Sequence, residues 1–256
     1  MFDRDRVVRT YDDRFSSDLH ERFFEHSGFS NLGHWDGRTL TGREAAGNLV
    51  DRLLALIPVR QGAILDVACG QGGSTRQLLA HYPAPNITAI NISARQLAEA
   101  ARRAPGCRFA LMDACDLRFP DQSFDAVLCV EAAFHFDTRA RFLAEAHRVL
   151  KPGGRLALSD ILFRARMPIR DVPTANRVTI DAYKDTLQHL GFREVALQDV
   201  TPDTWRAFDP RFRRFAHDYL KRFPLAFRWR AGIGLGAWHA WMRLGIRRYV
   251  LVAATR

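Results

Sequence analysis

The sequence predicts an α/β fold, a mostly parallel sheet with crossover helices, and three observations carry that prediction. An apolar run at 63–67 holding one acid passes directly into Ala68-Cys-Gly-Gln-Gly-Gly73, and helical spacing resumes at Thr75-Arg-Gln-Leu-Leu-Ala80. This is a strand, a tight glycine turn and a helix start. Downstream, strand-like and helix-like patterns alternate as far as residue 162, the mark of parallel strands joined by crossover helices. Finally, a polar residue recurs where each strand ends: Asp66, Asn91, Asp113, Glu131 and Asp160. In a parallel sheet those ends share one edge, so the five side chains converge on a site, although any one alone could be a helix cap.

In chain order, residues 5–25 carry Val7, Val8, Tyr11, Phe15, Leu19 and Phe23 at helical spacing on a charged background, predicting one or two amphipathic helices that pack over something. Ser27-Gly-Phe-Ser-Asn-Leu-Gly-His-Trp-Asp-Gly37 breaks the pattern as a loop. Thr41-x-x-Glu44 is a capping box, and Ala46, Leu49, Val50, Leu53, Leu54 and Ile57 follow at helical intervals until Pro58. The second strand is Thr88-Ala-Ile-Asn-Ile92, followed by Ser93-x-x-Gln96, a second capping-box pattern. The third strand is Phe109-Ala-Leu-Met112 and the fourth Phe124-Asp-Ala-Val-Leu-Cys-Val130. Asp137-Thr138 caps a helix through Leu150, and Lys151-Pro-Gly-Gly154 turns into a fifth strand at 155–162.

A chain of 256 residues, 47% hydrophobic, can bury a full core as one domain with a cap. No uninterrupted apolar stretch approaches the ~18 residues of a membrane span, and the charged amino end has no signal-peptide core, so a cytoplasmic protein is expected. Cys69, Cys107, Cys115 and Cys129 lack metal-ligand or redox spacing and read as reduced thiols, with no metal dependence expected. The formal charge of +10 is carried almost wholly by arginine, the only lysines being Lys151, Lys184 and Lys221. An anionic substrate or carrier partner accounts for that charge as well as nucleic acid does.

Gly70, Gly72 and Gly73 lack a Cβ, so a ligand can lie against bare backbone, at the place where open α/β sheets bind nucleotides. A dinucleotide fingerprint would put glycine at position 68 and no acid beside the pyrophosphate. Here Ala68 and Asp66 stand instead, which suits a positively charged ligand end such as the ammonium and sulfonium of S-adenosylmethionine. From the loop alone, NAD(P) remains a rival.

With these residues in place, the chain resembles the class I S-adenosylmethionine-dependent methyltransferases. Asp66-Val-Ala-Cys-Gly-Gln-Gly-Gly73, Met112-Asp-Ala-Cys-Asp-Leu-Arg-Phe-Pro-Asp-Gln-Ser-Phe-Asp125 and Arg148-Val-Leu-Lys-Pro-Gly-Gly-Arg-Leu156 carry the likeness. Val130-Glu-Ala-Ala-Phe-His-Phe136 and Asn31-Leu-Gly-His-Trp35 place it nearest the bacterial branch that methylates sugars, polyketides and related natural products. The resemblance, spanning about residues 30–162, implies a Rossmann-like, seven-stranded, mostly parallel sheet with helices on both faces and a helical cap. The sixth strand then falls at 194–200 and an antiparallel last strand at 249–254. The chain divides into an N-terminal helical cap (1–42), a cofactor-binding core (43–162), an acceptor-side cap with the sixth strand (163–248) and the last strand (249–256).

Carried over by position, Ala68, Gly70 and Gly72 lie against the methionine moiety, with Asp66 near its ammonium. Asn91, with Ile92 beside it, stands where many relatives put an acid on the ribose hydroxyls, the main departure from the family pattern. Asp113 accepts from the adenine amino group and the Ala114 backbone meets the ring. Glu131, Gln96, Trp35 and Tyr11 complete the expected cofactor set.

The sulfonium is already activated, so the protein must align acceptor, methyl and sulfur and exclude water, which can supply roughly 7–11 kcal/mol. A hydroxyl acceptor also needs a base. His135, four residues beyond Glu131 at the end of the fourth strand, fills that role, since an imidazole's ordinary pKa is about 6.5. Asp160 is expected to hold its other nitrogen, as in the sugar methyltransferases the chain resembles.

Residues 163–176 are basic and proline-punctuated, and a helix at 179–190 ends at Gly191. Residues 202–245 form an insertion rich in Trp, Phe and Arg that the resemblance places over the acceptor. Its aromatic content predicts a fairly large, largely apolar small-molecule acceptor: a polyketide, peptide or glycoside. The same basic, aromatic cap could contact a membrane surface or carrier protein. Three readings stand: an O-methyltransferase of a natural product; an RNA or DNA methyltransferase; and a non-methylating cyclase or binding scaffold. Nucleic acid is disfavoured because the Asn/Asp-Pro-Pro-aromatic motif of base N-methylating enzymes is replaced by Val130-Glu-Ala-Ala-Phe134. Transfer to carbon or nitrogen of a small molecule, lipid or quinone stays open.

Overall fold

The computed structural model describes residues 4–15, 17–58, 60–164 and 172–256; half of the basic, proline-punctuated stretch, 165–171, lies outside them. Seven strands form one sheet: β1 Ile64–Val67, β2 Ile87–Asn91, β3 Arg108–Leu111, β4 Phe124–Val130, β5 Leu150–Phe163, β6 Arg193–Asp199 and β7 Ile246–Thr255. Their order is β3-β2-β1-β4-β5-β7-β6. β1 to β5 pair in parallel, and β7 runs antiparallel to both β5 and β6. β1, first in the sheet by sequence, therefore lies inside it beside the middle strand β4, and its exit at residue 68 lies at the switch point where ligands bind in doubly wound sheets.

The apolar strands are explained by burial on both faces. Ile64 and Leu128 join one core cluster, while their neighbours Leu65, Val127 and Cys129 join another. Helices α3 (Gly42–Leu54) and α4 (Gly73–Leu78) cover the first face. α6 (Arg139–Val149) and α7 (Ile180–His189) cover the second with Phe142, Leu143, Tyr183 and Leu187; α5 (Ala94–Arg103) crosses between β2 and β3.

Local signals behave as the sequence predicts at α3, where Thr41 Oγ1 accepts from Glu44 N and the Glu44 carboxylate accepts from Thr41 N. At α5 half of the pattern is diverted. Ser93 Oγ accepts from Gln96 N, but the Gln96 side chain turns to Asn91 and Asp12 instead of closing a box. The fifth strand begins at Leu150, so the Lys151-Pro-Gly-Gly turn is built into it with a register shift against β4.

The cap comes from both ends of the chain. Residues 5–25 form two helices, α1 (Arg4–Phe15) and α2 (Asp18–Phe23), and the insertion forms two more, α8 (Trp205–Leu220) and α9 (Leu225–Gly245). α2 and α8 meet on Phe23, whose ring stands edge-on to Phe208, Phe212 and Phe215 of α8 at 5.5, 5.0 and 5.3 Å. Edge-to-face pairs of this kind add about 0.5–1.5 kcal/mol each beyond area burial.

Candidate active site

Two cavities open above the carboxyl ends of the strands. The narrower runs from Ala68 and Gly70 past Asn91, Ile92 and Gln96 to Met112, Asp113 and Ala114, roofed by Val7, Val8 and Tyr11 of α1. The larger, about 640 Å³, lies under the cap and is lined by Phe24, Phe134, Phe163, Phe212, Trp238 and Trp241 among others. Tyr11, Ser30, Ala68, Gly70, Glu131 and His135 line both, so they form the neck between them.

Each strand end builds its part of this edge differently. Ala68 and Glu131, directly after β1 and β4, adopt left-handed φ of +58° and +52°, a conformation costly for residues with a Cβ and concentrated at functional sites. Gly70 has φ +56°, and a Cβ there would meet only Ser30 Oγ at 3.9 Å. Its missing side chain is thus open cavity. Asn91 locks the floor: Oδ1 accepts from Ile92 N at 2.7 Å and Nδ2 donates to Gly70 O at 3.3 Å and Gln96 Oε1 at 3.0 Å. Asp113 Oδ1 accepts from Cys115 N at 2.8 Å, which fixes the turn below the far end of the slot.

Glu131 ties the neck together, because its Oε2 accepts from Leu32 N and from Tyr249 Oη, both at 2.7 Å. His135 sits in the short turn after β4 and its Nε2 is hydrogen-bonded to the Tyr11 hydroxyl.

Residues 65–158 match the family model described as a methyltransferase domain. The 27-O-demethylrifamycin SV methyltransferase of Amycolatopsis mediterranei is 30% identical over 246 residues, 88% of each chain. The O-methyltransferase cnsE of Penicillium expansum is 34% identical over 194 residues, 68% of each. The chain belongs to the class I S-adenosylmethionine-dependent methyltransferases. Among solved structures, the [4+2]-cyclase SpnF superposes on this methyltransferase with a TM-score of 0.75 at 26% identity, covering 99% of this chain and 96% of that one.

The methyltransferase's narrow cavity fits S-adenosylmethionine. Bare backbone at Gly70 would give a methionine end room, and Ile92, Met112, Asp113 and Ala114 line the same cavity, where they would hold a flat ring with an amino group. Asp66 lies in β1, beneath the glycine turn. It is fully buried, its Oδ2 accepts from Ser74 and Thr75 at 2.8 and 2.7 Å, and its Oδ1 has no partner among the described residues. Burial raises its carboxyl pKa to about 6, against the opposing pull of the Thr75 and Ser74 hydroxyls.

Four expected residues stand apart from the cavity walls. Asp66 lies beneath the loop as a buried charge. Gly72, at φ +90°, is required by packing: a Cβ there would come within 2.7 Å of Ala100 Cα, so it lets α4 lie close on α5. Trp35 is a core plug, 4% exposed, with Nε1 donating to Leu32 O at 2.9 Å and the Arg211 guanidinium over its ring at 4.9 Å.

The fourth is a correction. Asp160 does not hold His135: its Oδ2 binds Arg139 Nε at 2.6 Å and accepts from Tyr183 Oη at 3.0 Å, while Oδ1 takes Ile161 N at 2.9 Å. Arg139 is itself 3% exposed. Drawing either charge away would leave the other buried and unpaired, so each is committed to its partner.

Sequence reasoning also missed Asp12, whose Oδ1 accepts from Ser93 Oγ at 2.7 Å and Gln96 Nε2 at 2.8 Å. It brings a carboxylate to the edge where Asn91 replaces the family's acid. The signal was its place beside Tyr11 on one helix turn.

Proposed function

We propose that this methyltransferase acts on a hydroxyl of a fairly large, largely apolar small molecule such as a polyketide, peptide or glycoside, with His135 as general base. The observation that carries the reading is the neck: His135 and Tyr11 line both the cofactor-sized slot and the aromatic cavity beside it. Bound S-adenosylmethionine supplies an activated methyl group. The chain's own residues do the rest.

Gly70, Ala68 and Asp113 hold the donor's two ends. Phe134, Phe163, Phe212 and Trp241 bury the acceptor and keep water out. His135 Nε2 takes the hydroxyl proton, which requires the acceptor to displace the Tyr11 hydroxyl from that nitrogen. The rifamycin and fungal O-methyltransferase relatives support oxygen as the methylated atom.

The likeness to SpnF favours a second reading, ring closure in the same cavity without methyl transfer. The test is incubation with isotopically labelled S-adenosylmethionine and a panel of hydroxylated polyketides and glycosides, read by mass spectrometry. A labelled product one methyl heavier, lost in His135→Ala while cofactor binding survives, supports the proposal. Transfer unaffected by His135→Ala, or an isomer of unchanged mass, overturns it.

A further inference from the structure

The positive charge of the chain is gathered in one place. Residues 205–248 hold eleven Arg and Lys against two acids, Asp209 and Asp218, a surplus of nine within a net charge of +10. Most of those cations are exposed.

Within this cap α9 has two unlike faces. Leu235, Trp238, Trp241 and Met242 turn inward to the large cavity. On the other side Leu225, Trp229, Ile233 and Leu244 are 71, 72, 59 and 64% exposed. With exposed Ala237 and Ala240 they recur every three or four residues, so they fall on one stripe along the helix. Arg230 and Arg243 flank the stripe, Lys221 and Arg222 precede the helix, and Arg247 and Arg248 follow it. An apolar stripe with a tryptophan, edged by long cationic side chains, is the pattern of a helix lying in a membrane interface. No helix among the described residues is long and apolar enough to cross a bilayer, so α9 would lie flat.

A fluid surface suits the stripe better than a folded partner does. A Cβ at Gly232, Gly234 or Gly236 would meet nothing within 4 Å, leaving α9 with few knobs for the shape complementarity that protein interfaces need. Lipid needs none, and anionic headgroups complement the arginines.

We propose that α9 docks the enzyme in plane on an anionic lipid surface, its 225–244 stripe at the headgroup boundary and the arginine-rich cap against lipid phosphates. The inference uses only the outer surface and does not depend on which atom is methylated.

The experiment is co-sedimentation of the full chain with phosphatidylcholine vesicles, with and without phosphatidylglycerol. Binding to the anionic vesicles should be at least tenfold tighter and should collapse between about 0.1 and about 1 M salt, where the screening length shrinks from about 10 to about 3 Å. Trp229→Asp, or Leu225→Asp as a second variant, should weaken it tenfold or more while S-adenosylmethionine binding, read by calorimetry, is unchanged. Failure to sediment with either vesicle, or unaltered binding by both variants, overturns the proposal. So does concentration-dependent self-association that Trp229→Asp abolishes without any vesicle binding, which would assign the stripe to a second copy of the chain.

Discussion

Tyr11 and His135, 124 residues apart in the chain, are joined by a hydrogen bond between the phenol oxygen and imidazole Nε2, their rings edge-on at 5.0 Å. The bond fastens the first helix over the neck and also occupies the nitrogen that the proposed reaction uses. The two residues should therefore differ on substitution. His135→Ala removes the base and should cut turnover at least ~100-fold with cofactor affinity nearly intact. Tyr11→Phe frees Nε2 from a competitor and should change turnover by less than about tenfold. Equal losses in single-turnover assays would instead make Tyr11 a proton carrier.

Gly70→Ala combines a left-handed φ with a methyl group projected into open cavity. The backbone cost is about 1–2 kcal/mol. Cofactor affinity should fall more than tenfold by calorimetry, beyond what the change in melting temperature accounts for.

Asp66 gives a pH signature. Its carboxyl moves from 3.8 to about 6 on folding, so the folded chain holds the proton more tightly than the unfolded one. The stability this contributes is complete below about 3.8 and is lost as pH rises through about 6, amounting to roughly 3 kcal/mol. Asp66→Asn should flatten the unfolding free energy across that window. Wild-type affinity for S-adenosylmethionine should climb through the same range, because the ionised carboxylate favours the ammonium, and the variant should lack that climb.

Asp160→Ala would strand Arg139 as a buried charge. Denaturant unfolding should show a loss of about 3–5 kcal/mol, while protein that remains folded keeps its cofactor affinity. A catalytic partner of His135 would instead lose turnover with stability nearly unchanged.

Gly236→Ala in α9 adds a methyl group that meets nothing within 4 Å and removes a flexible residue from a helix interior. The melting midpoint should rise, by about 0.5–1 kcal/mol in stability.

Much of this molecule was legible because its signals are local. The glycine turn after β1, the Thr41 box and the polar residue at each strand end need only neighbouring residues to declare themselves, and the sheet follows from their order. The errors lie where distant segments compete for one side chain. Asp160 at a strand end looked available until Arg139, at the start of α6, claimed it. Gln96 fits a capping box by spacing, yet Asp12, 84 residues away, draws its amide off. Trp35 sits in a loop whose sequence gives no hint that α8 will close over it. Periodicity records which face of an element is apolar, and it carries no information about which partner arrives there.

The hub at Phe23 sets an order of events during synthesis. Three of the rings around it lie at 208, 212 and 215, so β1 to β5 emerge from the ribosome well before this part of the cap can close. A nascent chain would present its larger, aromatic cavity to bulk water until the last fifth of the polypeptide is made. Truncation there would remove that shelter together with β7, the strand that joins β5 to β6.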